Sequence, residues 1–103
     1  MTTKLQAGRE IDALVDTHVM GASGKGAPDY STSIQAAWAV IEALEKRDIW
    51  VDTVGRMFNE RNEWECEFLY GDGQRASAVA DTAPLAIVLA ALAACEVKER
   101  GER

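Results

Sequence analysis

The segment PLAIVLAALAAC, from Pro84 to Cys95, consists of twelve successive apolar residues. It is too short to span a bilayer as a helix, which takes about 20 residues. A helix that is apolar around its whole circumference is buried on several sides or against a second subunit. Because one small sheet covers only one side of a helix, we expect residues 84–95 to form a homo-oligomer interface, most simply in a symmetric dimer. The alternative is a helix at the centre of a single-chain core.

Two amphipathic helices are predicted ahead of the first strand. Apolar residues at helical spacing predict a first helix from about Gln6 to Val19. The glycine-rich stretch GASGKGAP ends it. The hydroxyls of Ser31, Thr32 and Ser33 then offer an N-cap to a second helix, which is expected to end near Arg47.

Three strands and a last helix follow. The stretch from Ile49 to Phe58 is rich in β-branched and aromatic residues, WECEF alternates strictly, and Gln74 to Val79 is a third run after the turn signal GDG. The short connections predict an antiparallel meander. Asp81 or Thr82 caps the last helix, with a proline in its first turn. The order α-α-β-β-β-α indicates an α+β layered fold, and residues 1–103 correspond to a single domain.

The charge and the titratable residues restrict the function. A net charge of -6 argues against binding to a long nucleic acid, which depends on lysine and arginine. It permits a small anion in a local cationic pocket, and it suits an inhibitor that docks on a basic surface. A single histidine, His18, and the absence of HExxH spacing indicate no metal site. The sequence shows no catalytic constellation, so we expect a protein that is not an enzyme and uses no cofactor.

The cysteines and the amino terminus bear on the compartment. Cys66 and Cys95 form no CxxC pair, and we interpret both as reduced core thiols. The amino terminus MTTKLQAGRE lacks the apolar segment of a signal peptide. We therefore expect a cytoplasmic protein that does not enter a membrane.

The stretch GASGKGAPDYSTS, residues 21–33, raises the question of a phosphate site. Its spacing differs from that of a Walker A loop, which also follows a strand. The N–H groups at the start of the second helix can hold a phosphate without such a motif. We predict a site there, with lysine and arginine supplying charge and Tyr30 or Trp38 stacking on a base. The predicted ligand-binding residues are Lys25, Tyr30, Ser31, Thr32, Ser33, Trp38, Arg56 and Arg75, and Arg9, Arg47 and Arg61 are further candidates. The alternative is plain capping beside a flexible joint.

Three blocks of the sequence resemble one known family. AGREIDALVDTHVMG, YSTSIQAAWAVIEAL and ASAVADTAPLAIVLAALAA, in this order, are similar to the phage ABA sandwich domain family, whose members are small proteins of phages and prophages. The resemblance implies an α/β/α layered sandwich and a phage origin. Glu65 and Glu67 make one face of the second strand more polar than a fully sandwiched sheet would be, so we expect that face to be covered only partly, leaving a groove.

Small acidic phage proteins without enzymatic activity resemble two functional types. Our first hypothesis is a sponge that binds and sequesters a nucleotide immune signal, a cyclic dinucleotide or a cyclic ADP-ribose isomer, in the host cell cytoplasm. The alternative is an inhibitor that binds a host defence protein directly, as anti-CRISPR proteins do, through surface carboxylates such as Glu60, Glu63 and Glu67. A third possibility is a prophage accessory or antitoxin-like protein with a cognate partner.

Overall fold

The computed structural model of the chain describes residues 7–57 and 60–101. The observed order of elements is the predicted one, α-α-β-β-β-α, and the α+β class is confirmed. The helices are α1 Arg9–His18, α2 Ile34–Glu45 and α3 Ala83–Gly101, and the strands are β1 Ile49–Arg56, β2 Trp64–Tyr70 and β3 Gln74–Ala80. Gln6 and Phe58, the ends of two predicted elements, lie outside the described residues.

The helix starts follow from capping side chains. Ser33 is the N-cap of α2, and its Oγ accepts a hydrogen bond from the N–H of Ala36 at 3.3 Å. At α3 the hydroxyl of Thr82 accepts from the N–H of Leu85 at 3.4 Å. Of the candidates that the sequence offered, Ser33 and Thr82 are therefore the caps.

The three strands form an antiparallel sheet in the order β1-β2-β3. Gly71 and Gly73 take positive φ angles of 57° and 86° in the turn between β2 and β3, a conformation that costs glycine little. In β1 the register shifts between Val51 and Thr53. Because of this bulge, Val51 and Val54 both lie on the face of β1 that packs against the core, although they are three residues apart.

Helix α3 is the centre of the core. It packs against all three strands on one side, and it also contacts α1 and α2. Within α3 the side chains of Ala86, Ile87, Val88, Ala90, Ala91 and Ala94 are completely buried in a single chain. The chain itself thus supplies the cover that we expected from a second subunit. Burial of these six residues does not require an oligomer, and association of two chains stays a prediction.

The other face of the sheet carries no helix among the described residues. Its side chains include the half-buried Glu65 and Glu67 in β2, and the exposed Trp50 and Val79 in the two outer strands. The expected polar character of this face is confirmed. The buried face opposite carries Cys66, Phe68 and Tyr70, as the alternation of β2 predicted.

Candidate functional site

Two buried aspartates of α1 hold the glycine-rich loop that follows it. Asp12 and Asp16 are four residues apart, on one face of the helix, and each is 5% exposed. Asp12 Oδ1 accepts from the N–H of Ser31 at 2.8 Å. Asp16 Oδ1 accepts from the Tyr30 hydroxyl at 2.8 Å, and its Oδ2 accepts from the N–H of Gly24 at 3.1 Å. The loop is therefore anchored to α1 at three points and is not a loose joint.

Tyr30 belongs to this anchor. Its side chain is only 4% exposed. Burial, the hydrogen bond to Asp16 and the negative charges of Asp16 and Asp12 raise the pKa of Tyr30 to about 12. Because Tyr30 is buried in the folded chain, this structure does not place its ring where it could stack on a ligand base, as the sequence had suggested.

The hydroxyls before α2 are also used within the chain. Ser31 is completely buried, and its Oγ accepts from the N–H of Gly8 at 2.9 Å. Ser33 caps α2, as described above. Thr32 is exposed, with its Oγ1 at 3.5 Å from the carbonyl oxygen of Asp29. Because Ser31 is buried, this structure does not place it where it could contact a phosphate. Lys25 and Thr32 are the predicted residues of this segment that stay exposed.

Two predicted arginines lie on the sheet, at its opposite edges, and not on this segment. Arg56 is at the end of β1, with its guanidinium carbon 6.0 Å from the centroid of the Trp64 ring. Arg75 is near the start of β3, at the opposite edge of the sheet, and its Nη1 is 3.1 Å from Glu67 Oε1. Trp38 is 51% exposed on α2. The eight predicted residues thus do not form one site.

A small cleft lies between the start of α1 and the glycine-rich loop. Its volume is about 290 Å³, and it is lined by Arg9, Asp12, Gly24, Gly26 and Ala27. Gly24 is required here, because its φ is +85° and a Cβ atom would lie 2.9 Å from Thr17 Oγ1. Arg9 was among the further anion-binding candidates. The loop glycines lie opposite Arg9 because hydrogen bonds to Asp16 hold the loop in place. The sequence did not reveal these hydrogen bonds.

A second candidate region surrounds Trp50, whose side chain is 51% exposed at the start of β1. Trp50 lines two shallow depressions. The first, of about 500 Å³, is formed with the end of α2, and the second, of about 440 Å³, is formed with the turn between β2 and β3. The first is lined by Glu42, Glu45, Lys46 and Trp50, and the second by Asp48, Trp50, Leu69, Tyr70, Gly71 and Asp72.

The exposed side of α2 continues this region. Ile34 and Trp38 are 53% and 51% exposed, and both lie on the same side of α2 as Glu42. We call the exposed residues Trp38, Glu42, Lys46 and Trp50, with the half-buried Glu45, the tryptophan surface. Sequence reasoning missed Trp50 because it stands in a run of strand-forming residues. The signal that could have found it is its position next to Ile49, since neighbouring strand residues point to opposite faces.

A family model described as the Phage ABA sandwich domain matches residues 6–92. The chain belongs to this family. A crystal structure of a phage protein from Bacillus cereus ATCC 14579 is similar to it, with 27% sequence identity and a TM-score of 0.72, over 90% of this chain and 96% of that chain. No functionally curated protein is significantly similar to this chain. The resemblance seen in the three sequence blocks is thus confirmed, and so is membership of a phage protein family.

Three further properties of the described residues concern metal binding, membrane-spanning helices and thiol reactivity. Between residues 7 and 101, apart from 58 and 59, no three His, Cys, Asp or Glu side chains cluster in a way that could hold a metal ion. Over the same ranges no helix is long and apolar enough to cross a membrane. Cys66 and Cys95 are both buried thiols, as interpreted from the sequence. Burial and the charges of Glu65 and Glu67 raise the pKa of the Cys66 thiol to about 12, which suppresses its reactive thiolate form.

Proposed function

We propose that this phage protein acts by binding another protein through the tryptophan surface. The observation that carries the proposal is the half-exposed Trp50 side chain between two depressions. Tryptophan is enriched among the residues that dominate binding energy at protein interfaces, because it combines a large apolar area with an N–H donor. Trp38 adds a second exposed indole on the neighbouring helix.

The charge around Trp50 indicates the kind of partner. Four carboxylates and one lysine line the two depressions. Together with the net charge of -6 on the whole chain, they favour a basic surface on the partner. Such complementarity mainly accelerates association and selects the partner, and it weakens as salt rises. A host defence protein with a basic binding site for nucleic acid is a partner of this kind.

The shape of the surface also favours a protein partner over a small ligand. A small-molecule site encloses most of its ligand in a concave pocket. The depressions beside Trp50 are instead open to solvent, and they continue over the exposed side of α2. An open surface with protruding indoles is suited to the side chains of another protein.

The test is affinity capture from host cells with matched variants. We expect Trp50→Ala to lose a captured partner that the parent protein retains. Thr53→Ala is the matched control, because Thr53 is also exposed on β1 but lines neither depression. Capture of the same proteins by the parent and by Trp50→Ala contradicts the proposal. We also expect capture by the parent to decrease from low to high salt.

The second candidate function is the nucleotide sponge, with its site moved to the cleft beside Arg9. The specific observation in its favour is a guanidinium next to two loop glycines in a space of about 290 Å³. This volume is close to the lower end of the range of ligand pockets, about 300 Å³. Neither candidate function requires a catalytic group.

A panel of cyclic dinucleotides and cyclic ADP-ribose isomers tests the sponge. The purified protein is incubated with each compound, and bound compound is recovered intact by heating. Arg9→Ala is expected to abolish binding, whereas Arg56→Ala, at the end of β1, is expected to leave it unchanged. Absence of binding across the panel contradicts the sponge and leaves the protein-binding proposal unaffected.

A further inference from the structure

Strand β3 is an edge strand in which Arg75 is the only charged residue. Among the described residues it pairs only with β2. Its sequence QRASAVA contains no proline, no lysine and no bulge. An edge of this kind presents unpaired N–H and C=O groups to a further strand. The other edge differs, because the register shift of β1 at Asp52 interrupts a regular ladder there.

We propose that β3 pairs in antiparallel fashion with β3 of a second copy, about a two-fold axis at Ser77. Ser77 is the middle residue of the strand Gln74–Ala80, so this register pairs the full length of both strands. It places Ser77 opposite Ser77 of the second copy, a pair of hydroxyl side chains that is favourable across strands. The result is one continuous six-stranded sheet with the same surface on both copies, as a two-fold interface requires.

The charges at the two ends of β3 are complementary in this register. Arg75 is opposite Val79 of the second copy, and Asp81 of the second copy is its diagonal neighbour, within reach of a long side chain. Arg75 has a 61% exposed side chain, and Asp81 is also exposed. Arginine has five N–H donors, so Arg75 can keep its contact with Glu67 while it binds the second aspartate. Two such ion pairs form, one at each end of the paired strands.

Helix α3 supplies the apolar part of the same interface. Leu85, Leu89 and Leu92 are spaced as one stripe of the helix, and they are only partly buried, whereas six of the residues between 86 and 94 are completely buried. Helix α3 packs on β3, and α1 contacts α3 but no strand. Of the described helices, α2 contacts β1, and neither α1 nor α2 contacts β3. Pairing of the two β3 edges brings two α3 helices side by side and buries apolar surface between them.

This dimer does not depend on the proposed function. Trp50 lies in β1, at the opposite edge of the sheet, and stays accessible in both copies. The sequence-based expectation of a dimer is kept, but its contacts move from the buried face of α3 to the β3 edge and the leucine stripe.

A charge swap tests the register. We expect light scattering with size-exclusion chromatography to give twice the mass of one chain. Arg75→Asp and Asp81→Arg should each weaken dimerisation by about tenfold, because each replaces attraction by repulsion at both ends of the interface. The double variant Arg75→Asp/Asp81→Arg should recover an affinity within about threefold of the parent.

A matched pair of lysine variants tests the edge. Ser77→Lys places a charge in the middle of β3, and Thr53→Lys places the same charge at an exposed position of β1. We expect Ser77→Lys to be monomeric and Thr53→Lys to be dimeric, with circular dichroism spectra like the parent's. If Ser77→Lys does not fold, the Arg75 and Asp81 variants alone test the proposed dimer. A parent that is monomeric at about 100 μM, a concentration at which even a weak micromolar dimer forms, overturns the proposal. A dimer that neither single charge variant weakens, or that the double swap does not restore, overturns it as well.

Discussion

At the scale of single residues, Asp16 and Tyr30 decide how the N-terminal region is held together. The Tyr30 hydroxyl donates to a carboxylate that is 5% exposed, and hydrogen bonds to charged groups contribute about 1.5–3 kcal/mol. We expect Tyr30→Phe to lower the free energy of unfolding by this amount at neutral pH, as measured by urea denaturation. An effect close to zero would show that water replaces the hydroxyl at Asp16.

Because the pKa of Tyr30 is raised, the stability difference between the parent protein and Tyr30→Phe should depend on pH. The pKa is 10.0 for an ordinary tyrosine and about 12 in the folded chain, so the unfolded state loses its proton first as pH rises. The stability from this group is complete below about pH 10 and is lost progressively up to about pH 12. Tyr30→Phe has no hydroxyl to ionise and does not lose this stability. The difference in melting temperature between the parent protein and Tyr30→Phe should therefore become smaller as the pH rises from about 10 to about 12. A difference that is constant from neutral pH to pH 12 contradicts the assignment.

Gly24 and Gly26 form a matched pair in the loop. Both have a positive φ, of 85° and 63°, but only at Gly24 would a Cβ atom meet another atom, Thr17 Oγ1 at 2.9 Å. A side chain in this conformation costs about 1–2 kcal/mol by itself. We expect Gly26→Ala to lower the free energy of unfolding by that amount and Gly24→Ala to lower it further. Equal losses in thermal or urea unfolding would mean that Thr17 moves aside freely.

At the scale of elements, α3 shows how a sequence pattern can be right while its explanation is incomplete. Twelve apolar residues correctly predicted a helix buried on several sides. The periodicity of α1 and α2 did not reveal that both contact α3, because such contacts join residues distant in the sequence. From the sequence alone, a second subunit was therefore expected to bury the side of α3 that faces away from the sheet.

Substitutions at Ala91 and Ala93 test directly whether α3 lies at the centre of the core. Ala91 is completely buried, whereas Ala93 is partly buried on the same helix. A carboxylate at Ala91 has no water and no partner, so we expect Ala91→Asp to destabilise the chain by about 4 kcal/mol or more. Ala93→Asp, the same chemical change, should cost markedly less. Urea unfolding followed by circular dichroism gives both values, and equal values contradict the central position of α3.

The strands and the loop show what local patterns predict and where they stop. The alternation in β2 correctly placed Cys66 and Phe68 inside. The exposure of Trp50 was missed because Trp50 stands in a run of strand-forming residues, although its position next to the buried Ile49 could have revealed it. Tyr30 was interpreted as a ligand contact because the sequence does not show its hydrogen bond to Asp16. That bond joins residues fourteen positions apart and forms only when the loop folds back on α1. Candidate site residues were thus identified by type, but their exposure depended on tertiary contacts.

At the scale of the whole molecule, our two proposals give the two edges of the sheet different roles. The β1 edge, together with α2, presents the tryptophan surface with its carboxylates. The β3 edge is uninterrupted, ends in opposite charges and suits a second copy. A dimer built in this way carries two tryptophan surfaces, one on each outer strand, and two linked sites bind a partner with two matching sites more tightly than one does. The net charge of -6 would favour basic partners at such a surface.

The most direct test of protein binding is site-specific photo-crosslinking in host cells. A photoreactive phenylalanine derivative replaces Lys46, an exposed residue of the tryptophan surface, and in a control protein it replaces Glu10, which is exposed on α1. We expect position 46 to crosslink to a host protein, which is distinct from a second copy of this chain. This product should disappear in Trp50→Ala, and position 10 should not give it. Crosslinking at position 46 that persists in Trp50→Ala, or that gives only the products seen at position 10, would contradict binding through the tryptophan surface.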